Sequence, residues 1–550
     1  MADELAGLGV SPGVVLGSVL RMAAPPVVPE DLRPAGDPAA EAADAQRALT
    51  GVAEFLQAKA AQVGGEAAQV LEAQAMMAGD PSIMELVTAA TGEGKPAAHA
   101  LAQAFGTFRD LLAAAGPYMA ERVADLDDIR ARAVARVLGL PMPGVPDPGH
   151  PFVLVATDLA PADTAGLDPS VVLALVTEEG GPTSHTAILA KSLGLPAVVS
   201  CHGASVLTDG QAVLVDGGRG LVTLDPAEAH VQQALAEEAE RIASFATASG
   251  PGRTKDGHHV KLLVNVGADS GIDGAAAVDS EGVGLFRTEF LFLERPDEPS
   301  VDEQVAAYRR VFEAFAGRKV VVRTLDAGAD KPLAFVTVPD EPNPALGVRG
   351  LRTARRDPGL LERQLGALAT AAQGHDVWVM APMVSTPQEA QAFTDQCRAA
   401  GLPVAGSMVE VPAAALRARH LLDHCDFLSL GTNDLAQYAY AADRMCGELA
   451  DLLDPWQPAL LELVRLTAEA GRAAGKPVGV CGEAASDPFL APVLVGLGVT
   501  SLSMAPVSVP EVRARLAALT LAECEERAQR ALAATSGAEA RAAVTATGHP

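Results

Sequence analysis

The spacing of apolar residues differs between the two halves of the chain. From residue 261 onward, short apolar segments of strand length alternate with longer segments that have apolar residues at helical spacing. Eight such units over 255–531 match the size and rhythm of a (β/α)8 barrel. The predicted strands are 262–266, 283–287, 320–325, 377–383, 404–410, 427–430, 478–481 and 501–504.

The first half combines a helical pattern with a strand pattern. Alanine-rich segments with apolar residues three or four positions apart, such as Leu49, Val52 and Leu56, predict a helical bundle over 25–137. Strand-like segments precede the bundle and return after it, with glycines and aspartates at the turns. We therefore expect a β/α domain formed by 1–24 and 138–226 into which the bundle is inserted, with a pair of strands around Ser11-Pro12-Gly13.

Two segments connect or follow these domains. The charged pattern over 227–254 predicts a linker helix, and the Ala-, Thr- and Gly-rich composition of 532–550 predicts a flexible tail. The fold class is therefore α/β and multidomain.

Composition restricts the possible partners and the compartment. The net charge is −28, from 41 basic and 69 acidic side chains, which disfavours binding to nucleic acid or anionic lipid. The six cysteines lack the paired spacing of a zinc site or a disulfide framework. The N-terminus resembles no signal peptide, and no apolar segment approaches the length of a membrane span. We expect a soluble cytoplasmic protein.

One histidine lies on a glycine turn between a predicted strand and a predicted helix. The segment Gly180-Gly181-Pro182-Thr183-Ser184-His185 follows the apolar run 171–176 and precedes a helix-like segment. A neutral imidazole is an effective nucleophile toward phosphorus, and a helix N-terminus offers N–H groups to an anion. His185 is therefore the candidate for a covalent intermediate. The alternative is a histidine that only caps the helix.

Polar residues follow the predicted barrel strands where each strand ends, and the strand ends of a parallel barrel share one face. Arginines there suit a ligand with many oxygens, such as a phosphorylated carboxylic acid. Glu410 and Asp434 could hold Mg2+ or could pair with the arginines instead. Cys481 could be a general acid or an apolar filler. The candidate set is Arg287, Arg323, Lys331, Arg349, Glu410, Asn433, Asp434, Arg444 and Cys481.

In this order, several motifs resemble those of Enzyme I of the bacterial phosphoenolpyruvate-dependent sugar phosphotransferase system. The resemblance runs through nearly the whole chain. Its motifs are Ser11-Pro12-Gly13, Gly180-Gly181-Pro182-Thr183-Ser184-His185, Gly284-Leu285-Phe286-Arg287-Thr288-Glu289, Arg323-Thr324-Leu325-Asp326, Asn343-Pro344-Ala345-Leu346-Gly347, Met408-Val409-Glu410-Val411-Pro412, Gly431-Thr432-Asn433-Asp434 and Cys481-Gly482-Glu483.

The resemblance implies a role for each candidate. His185 would carry the phosphoryl group, with Thr164 orienting its ring, on a swivelling domain that delivers it to the carrier protein HPr docked on the bundle. Cys481 would protonate the departing enolate, and a homodimer would form through the barrel. The remaining residues divide into the phosphate ligands Arg287, Arg323, Arg349 and Lys331, the carboxylate ligands Asn433 and Arg444, and the Mg2+ ligands Glu410 and Asp434.

Two positions depart from the family pattern. Pro182 stands where the family often has a basic residue, and Cys446 stands where it commonly has asparagine. Neither departure removes a proposed catalytic group. The nearest rivals are phosphoenolpyruvate synthase and pyruvate phosphate dikinase, which need a nucleotide-binding domain that the first 150 residues do not provide. A non-catalytic scaffold with the same fold is the rival from another class.

Overall fold

The computed structural model describes most of the chain, and its two compact units are Met1–Glu238 and Ala239–Pro550. The described residues are 4–23, 25–63, 65–114, 123–140, 142–146, 148–159, 167–181, 185–246, 248–267, 271–293, 295, 297–328, 333, 335–337, 341, 343–444 and 447–545.

The first unit contains an eight-stranded mixed sheet. Its strands are β1 (Glu4–Ala6), β2 (Leu8–Ser11), β3 (Val14–Arg21), β4 (Phe152–Ala156), β5 (Val172–Thr177), β6 (Ala197–Val199), β7 (Ala212–Asp216) and β8 (Leu221–Leu224). Their spatial order is β1-β8-β7-β3-β4-β5-β6-β2, and β3 to β6 are parallel neighbours. Central β4 is buried on both faces: Phe152 and Leu154 enter one apolar cluster, whereas Val153 and Val155 enter another.

The strands that flank Ser11-Pro12-Gly13 do not pair with each other, so the predicted strand pair is wrong. β2 pairs with β6, and β3 pairs with β7 and β4. Because β1 pairs with β8 at the other edge, residues 4–11 join the two edges of a curled sheet. Glycine is needed for this close approach, since a Cβ on Gly9 would lie 2.4 Å from the carbonyl oxygen of Gly217.

A helical bundle is inserted between β3 and β4. Its described helices are α1 (Pro38–Val63), α2 (Gly65–Ala78), α3 (Pro81–Gly92), α4 (Ala97–Ala114) and α5 (Val123–Leu138). Their shared core contains the predicted helical-face residues Leu49, Val52 and Leu56, together with Phe105 and many alanines. Two more helices follow along the chain, α6 (His185–Leu193) after β5 and α7 (Glu228–Ala246) after β8.

The second unit is built around a closed barrel of eight parallel strands, which confirms the predicted fold class. The strands are β9 (Lys261–Val266), β10 (Gly282–Arg287), β11 (Lys319–Arg323), β12 (Val377–Ala381), β13 (Ala405–Val409), β14 (Leu428–Leu430), β15 (Val478–Val480) and β16 (Ser501–Met504). Each strand pairs with the next, and β16 pairs with β9.

Helices surround the barrel and pack on the outward side chains of its strands. They are α8 (Ile272–Ala277), α9 (Val301–Ala314), α10 (Pro358–Ala371), α11 (Pro387–Ala399), α12 (Pro412–Leu416), α13 (Ala418–Leu421), α14 (Thr432–Tyr440), α15 (Pro458–Ala474), α16 (Leu490–Gly496), α17 (Val509–Ala517), α18 (Leu521–Ala533) and α19 (Gly537–Thr545). Within the barrel, a separate apolar cluster includes Leu285, Val321 and Met408. None of the described helices is long and apolar enough to span a membrane.

Residues 532–545 correct the prediction of a flexible tail over 532–550, of which the last five residues lie outside the described part of the chain. Residues 532–533 complete α18, and α19 follows after a short turn. Ala540 and Val544 of α19 are fully buried in the core of the second unit. Their spacing of four residues places both methyl-bearing side chains on one helix face, and burial of that face fixes the helix.

Candidate active site

Most of the predicted barrel residues lie at or just beyond the C-terminal ends of strands. Arg287 ends β10 and Arg323 ends β11, while Glu410 follows β13 and Cys481 follows β15. The alternation along β11 points Val321 and Arg323 into the barrel. These groups therefore share the C-terminal mouth, where active sites of this fold occur.

Arg323 is the centre of a buried ion-pair network. Its Nη2 lies 2.5 Å from Oε1 of Glu289, and its Nη1 lies 2.9 Å from Oδ2 of Asp326 and 3.8 Å from Oε1 of Glu410. Burial alone would lower the pKa of Arg323, but the three negative charges raise it above its ordinary value. The guanidinium is therefore permanently charged and held in one orientation.

Arg349 extends the network to the next carboxylate. Its Nη2 lies 3.2 Å from Oδ2 of Asp326, and its Nη1 lies 3.1 Å from Oδ1 of Asp434. The other oxygen of Asp434 lies 3.9 Å from Nη1 of the more exposed Arg444. Arginine–carboxylate pairing, an alternative left open by the sequence, is thus present at Arg323, Arg349 and Arg444.

Glu410 is almost completely buried, as are Glu289 and Asp326. Its Oε2 accepts a hydrogen bond of 2.8 Å from the backbone N–H of Met383. Burial, and then the charges of Asp326 and Asp434, raise the pKa of Glu410 to about 8, although neighbouring arginines act in the opposite direction. Gly431 makes room for this side chain, because a Cβ there would lie 2.7 Å from Cγ of Glu410.

Glu410 and Asp434 are the candidate Mg2+ ligands at the mouth of the barrel. Among the described residues, no three His, Cys, Asp or Glu side chains are arranged to hold one metal ion. Mg2+ commonly uses only one or two protein carboxylates and completes its shell with water and substrate phosphate. Glu410 and Asp434, on neighbouring strand ends, meet that requirement, and their mutual repulsion favours a divalent cation. The residues therefore fit the ion.

Cys481 is almost completely buried and remains a thiol near neutral pH. Its Sγ donates to the carbonyl oxygen of Leu430 at 3.5 Å. Burial raises the pKa of Cys481 to about 11; Glu410 also raises this pKa, while Arg323 and Arg287 lower it. Cys481 also belongs to the apolar cluster inside the barrel, which fits the filler alternative. Its protonated thiol is the form that a general acid needs, so both alternatives from the sequence stay open.

Arg287 and Asn433 are more accessible than the buried arginines. In the described part of the chain, Arg287 forms no ion pair, although its positive charge lowers the pKa of Cys481. Asn433 accepts a hydrogen bond of 3.1 Å from the N–H of Glu483 through its Oδ1. This contact leaves the Nδ2 group of Asn433 as its donor for a ligand.

Two carboxylates of the network were not selected from the sequence. Glu289 is two residues after Arg287, and Asp326 is three residues after Arg323, within motifs already singled out. Both are almost fully buried against Arg323. The available signal was an acidic residue two or three positions after each of these strand-end arginines.

Several predicted residues cannot be placed in this geometry. Lys331, Thr164, Pro182 and Cys446 lie outside the described residues. The backbone of His185 begins α6, as the turn pattern predicts, but its side chain is not among those described.

Three family profiles match the chain. They are the PEP-binding domain of PEP-utilising enzymes over residues 243–521, their mobile domain over 148–220 and their N-terminal domain over 6–122. The class of the protein is therefore that of the PEP-utilising enzymes.

Full-length relatives narrow the class. The chain is 56% identical to the phosphoenolpyruvate-protein phosphotransferase of Streptomyces coelicolor, and the match covers 99% of both chains. It is 34% identical to the Bacillus subtilis protein of that name over 99% of this chain and 100% of the relative. It is 40% identical to the multiphosphoryl transfer protein of Xanthomonas campestris, over 98% of this chain and 66% of the relative. The chain belongs to the phosphoenolpyruvate-protein phosphotransferase (Enzyme I) family, enzymes of PEP-dependent phosphotransfer.

Proposed function

We propose that the chain transfers the phosphoryl group of phosphoenolpyruvate to His185, releases pyruvate and passes the phosphoryl group to HPr, as the first step of a sugar phosphotransferase system. The observation that carries the proposal is the collection of guanidinium groups and a neutral thiol at one mouth of the barrel. Such a mouth suits a substrate that carries a phosphate, a carboxylate and a carbon atom awaiting a proton.

The phosphate binds first to Arg287, the accessible arginine, and then to Arg323 and Arg349. The buried carboxylates hold the latter two guanidinium groups in fixed orientations, so little reorganisation accompanies binding. Lys331 completes this group of phosphate ligands. Catalysis of phosphoryl transfer depends mainly on such positioning and on charge stabilisation.

The substrate carboxylate binds to Asn433 and Arg444. Asn433 is oriented by its hydrogen bond from Glu483, and Arg444 is oriented by its backbone N–H, which donates to Oε1 of Gln437 at 3.1 Å. Glu410 and Asp434 would hold Mg2+, which supplies positive charge to the phosphate oxygens when bound.

The transfer step uses one nucleophile and one acid. A neutral ring nitrogen of His185, oriented by Thr164, attacks phosphorus, and the bond from phosphorus to the enol oxygen breaks. The electron pair of that bond leaves as the pyruvate enolate. The Cys481 thiol then donates its proton to the methylene carbon, which gives pyruvate and a thiolate that regains a proton from solvent.

Delivery of the phosphoryl group requires the β/α domain to swivel, because His185 must visit first the barrel and then the carrier. HPr docks on the helical bundle, where the strongly acidic chain suits a carrier with basic residues near its own histidine. The proposal also includes a cytoplasmic location and a homodimer formed through the barrel.

The test follows 32P from labelled phosphoenolpyruvate into the purified chain. We expect an acid-labile label on His185 that requires Mg2+, moves to added HPr and is lost in His185→Ala. His202→Ala is the matched control, since His202 is an exposed histidine of the same unit. Undiminished label in His185→Ala would refute the assignment.

The same assay separates the rival functions. Turnover with ATP and phosphate in place of phosphoenolpyruvate would favour a dikinase or a phosphoenolpyruvate synthase. A folded protein that accepts no label from phosphoenolpyruvate would favour a non-catalytic scaffold.

A further inference from the structure

The C-terminal helix α19 contacts the far ends of two loops that lead away from the proposed active site. One segment, described from Gly447 onward, comes after Arg444 in the chain and ends at Trp456, and the other follows Cys481 and ends at Asp487. Arg541 of α19 reaches both ends: its Nη2 lies 3.2 Å from Oδ2 of Asp487, and its guanidinium lies 5.6 Å from the centre of the Trp456 ring.

The two loop ends are also joined to each other. The indole N–H of Trp456 donates to Oδ2 of Asp487 at 2.8 Å, so this one oxygen receives both the indole and the guanidinium. Trp456 is completely buried, and Asp487 is mostly shielded. The Arg541 side chain itself is 42% exposed, so the buried indole and the shielded carboxylate form the fixed side of the contact.

Asp487 transmits this contact into the Cys481 loop. Its Oδ1 accepts hydrogen bonds from the N–H groups of Phe489 and Leu490, at 2.8 and 3.2 Å, and so fixes the beginning of α16. The start of the same loop is fixed by the hydrogen bond between the N–H of Glu483 and Asn433. Both ends of the segment that carries Cys481 and Glu483 are thereby held.

Trp456 and the nearby Asp454 form the end of the segment that comes after Arg444. Oδ1 of Asp454 accepts the N–H of Trp456 at 3.0 Å. Gly537, at the start of α19, packs so closely that a Cβ there would lie 2.9 Å from Oδ2 of Asp454. The helix therefore touches this loop at two places, through Gly537 and through Arg541.

We propose that α19 is a clasp in which Arg541 is a positioning residue, joining Trp456 and Asp487 so that Arg444 and Cys481 are held at the correct separation for the substrate. This inference rests on the proposed function of those two side chains. Arg541 touches neither substrate nor reacting atoms, and its effect passes through the two loops. If a loop shifts its catalytic side chain by about 1 Å, the rate of the catalysed step can fall by about 100-fold.

The test compares Arg541→Met, which removes the charge but keeps a long side chain, with Arg541→Lys and Asp487→Asn. We expect Arg541→Met and Asp487→Asn to raise KM for phosphoenolpyruvate and lower kcat per phosphorylatable site, with kcat/KM reduced roughly 10-fold or more. Arg541→Lys should recover part of both. The matched control is Arg465→Gln, which removes an arginine paired only along its own helix with Glu462 and Glu469 among the described contacts.

A second measurement does not depend on phosphoenolpyruvate. The rate of Cys481 alkylation by iodoacetamide, followed by peptide mass spectrometry, should increase in Arg541→Met and Asp487→Asn and stay unchanged in Arg465→Gln. A merely destabilised enzyme would lose active sites while its remaining sites kept the original KM.

The outcomes are separable. Unchanged KM and unchanged Cys481 alkylation in both clasp variants would overturn the clasp. If the unmodified chain takes no label from phosphoenolpyruvate, the proposed function fails, whereas the alkylation rates still report whether α19 holds the Cys481 loop.

Discussion

Arg287 and Arg323 offer the sharpest contrast within the site, because one is accessible and the other is buried among carboxylates. We consider Arg287→Met and Arg323→Met, which remove each guanidinium but keep much of its length. In Arg323→Met, Glu289, Asp326 and Glu410 would lose their shared cation. Removing one partner of a buried ion pair costs about 3–5 kcal/mol.

That loss corresponds to a fall of about 5–8 °C in Tm for the unit Ala239–Pro550, because unfolding entropy is roughly 2.1 cal/mol/K per residue. Arg287→Met removes no ion pair among the described residues, so its Tm should change by about 2 °C or less. Both variants remove a proposed phosphate ligand, and each should lower kcat/KM for phosphoenolpyruvate by roughly 10²–10³.

Differential scanning calorimetry and initial rates of protein phosphorylation measure the two quantities. Arg465→Gln serves again as the control, with both values unchanged. A Tm of Arg323→Met within about 2 °C of that of the unmodified chain would refute the stabilising role of the buried ion pairs. Full kcat/KM in Arg287→Met would refute its proposed contact with phosphate.

Three further predictions concern other groups of the barrel. Alkylation of Cys481 should be slow at neutral pH and should accelerate about tenfold per pH unit until about pH 11. The reason is that burial raises the pKa of Cys481 to about 11 and only the thiolate reacts. An alkylation rate that is already constant at pH 9 would contradict this prediction. Burial, and then the charge of Lys261, lower the pKa of Lys319 to about 8, so native Lys319 binds fewer protons than the unfolded chain between pH 8 and its ordinary pKa of 10.5. The free energy of unfolding of the unmodified chain, minus that of Lys319→Met, should therefore rise by on the order of 2 kcal/mol across that pH window, as measured by chemical unfolding. A decrease in this difference with rising pH would contradict the prediction. Gly482→Ala would place a Cβ 2.0 Å from Oγ1 of Thr432, so the loop after Cys481 must shift. We expect the free energy of unfolding to fall by about 1–3 kcal/mol in thermal unfolding, and kcat/KM to fall as well. Unchanged kinetics would show that the loop adapts.

Much of the architecture was predictable because its physical causes are local. The alternation of short buried strands with amphipathic helices specifies parallel β/α units, and their number specifies closure into a barrel. The strand ends then follow directly, and with them the placement of Arg287, Arg323 and Cys481. The start of α6 at His185 was predictable for the same reason, since the preceding glycines and the helical pattern that follows are both local signals.

The ion-pair partners were harder to predict, because they depend on loop paths. Glu289 and Asp326 are close to Arg287 and Arg323 in sequence, yet sequence spacing outside a helix or a strand does not fix where a carboxylate points. Glu289 contacts Arg323 of the next strand rather than Arg287. Such a pairing follows only from the register of β10 against β11.

Two predictions failed because a local signal was overridden by packing. The segment around Ser11-Pro12-Gly13 has the composition of a hairpin turn, but β2 and β3 each find partners that are distant in sequence. The composition of α19 suggested a loose tail, but the buried Ala540 and Val544 and the contacts of Arg541 fix it. Long-range partners decide both cases.

In the proposed function, a phosphoryl group moves from phosphoenolpyruvate to one histidine while the barrel protonates the product. A rapid-quench experiment, with the enzyme at substrate concentration and no HPr, measures phosphorylated His185 by peptide mass spectrometry and pyruvate in the same samples. We expect the two to appear together at one pyruvate per phosphorylated His185, and neither to appear in His185→Ala. Pyruvate release without phosphorylated His185, or phosphorylation at another residue, would contradict it.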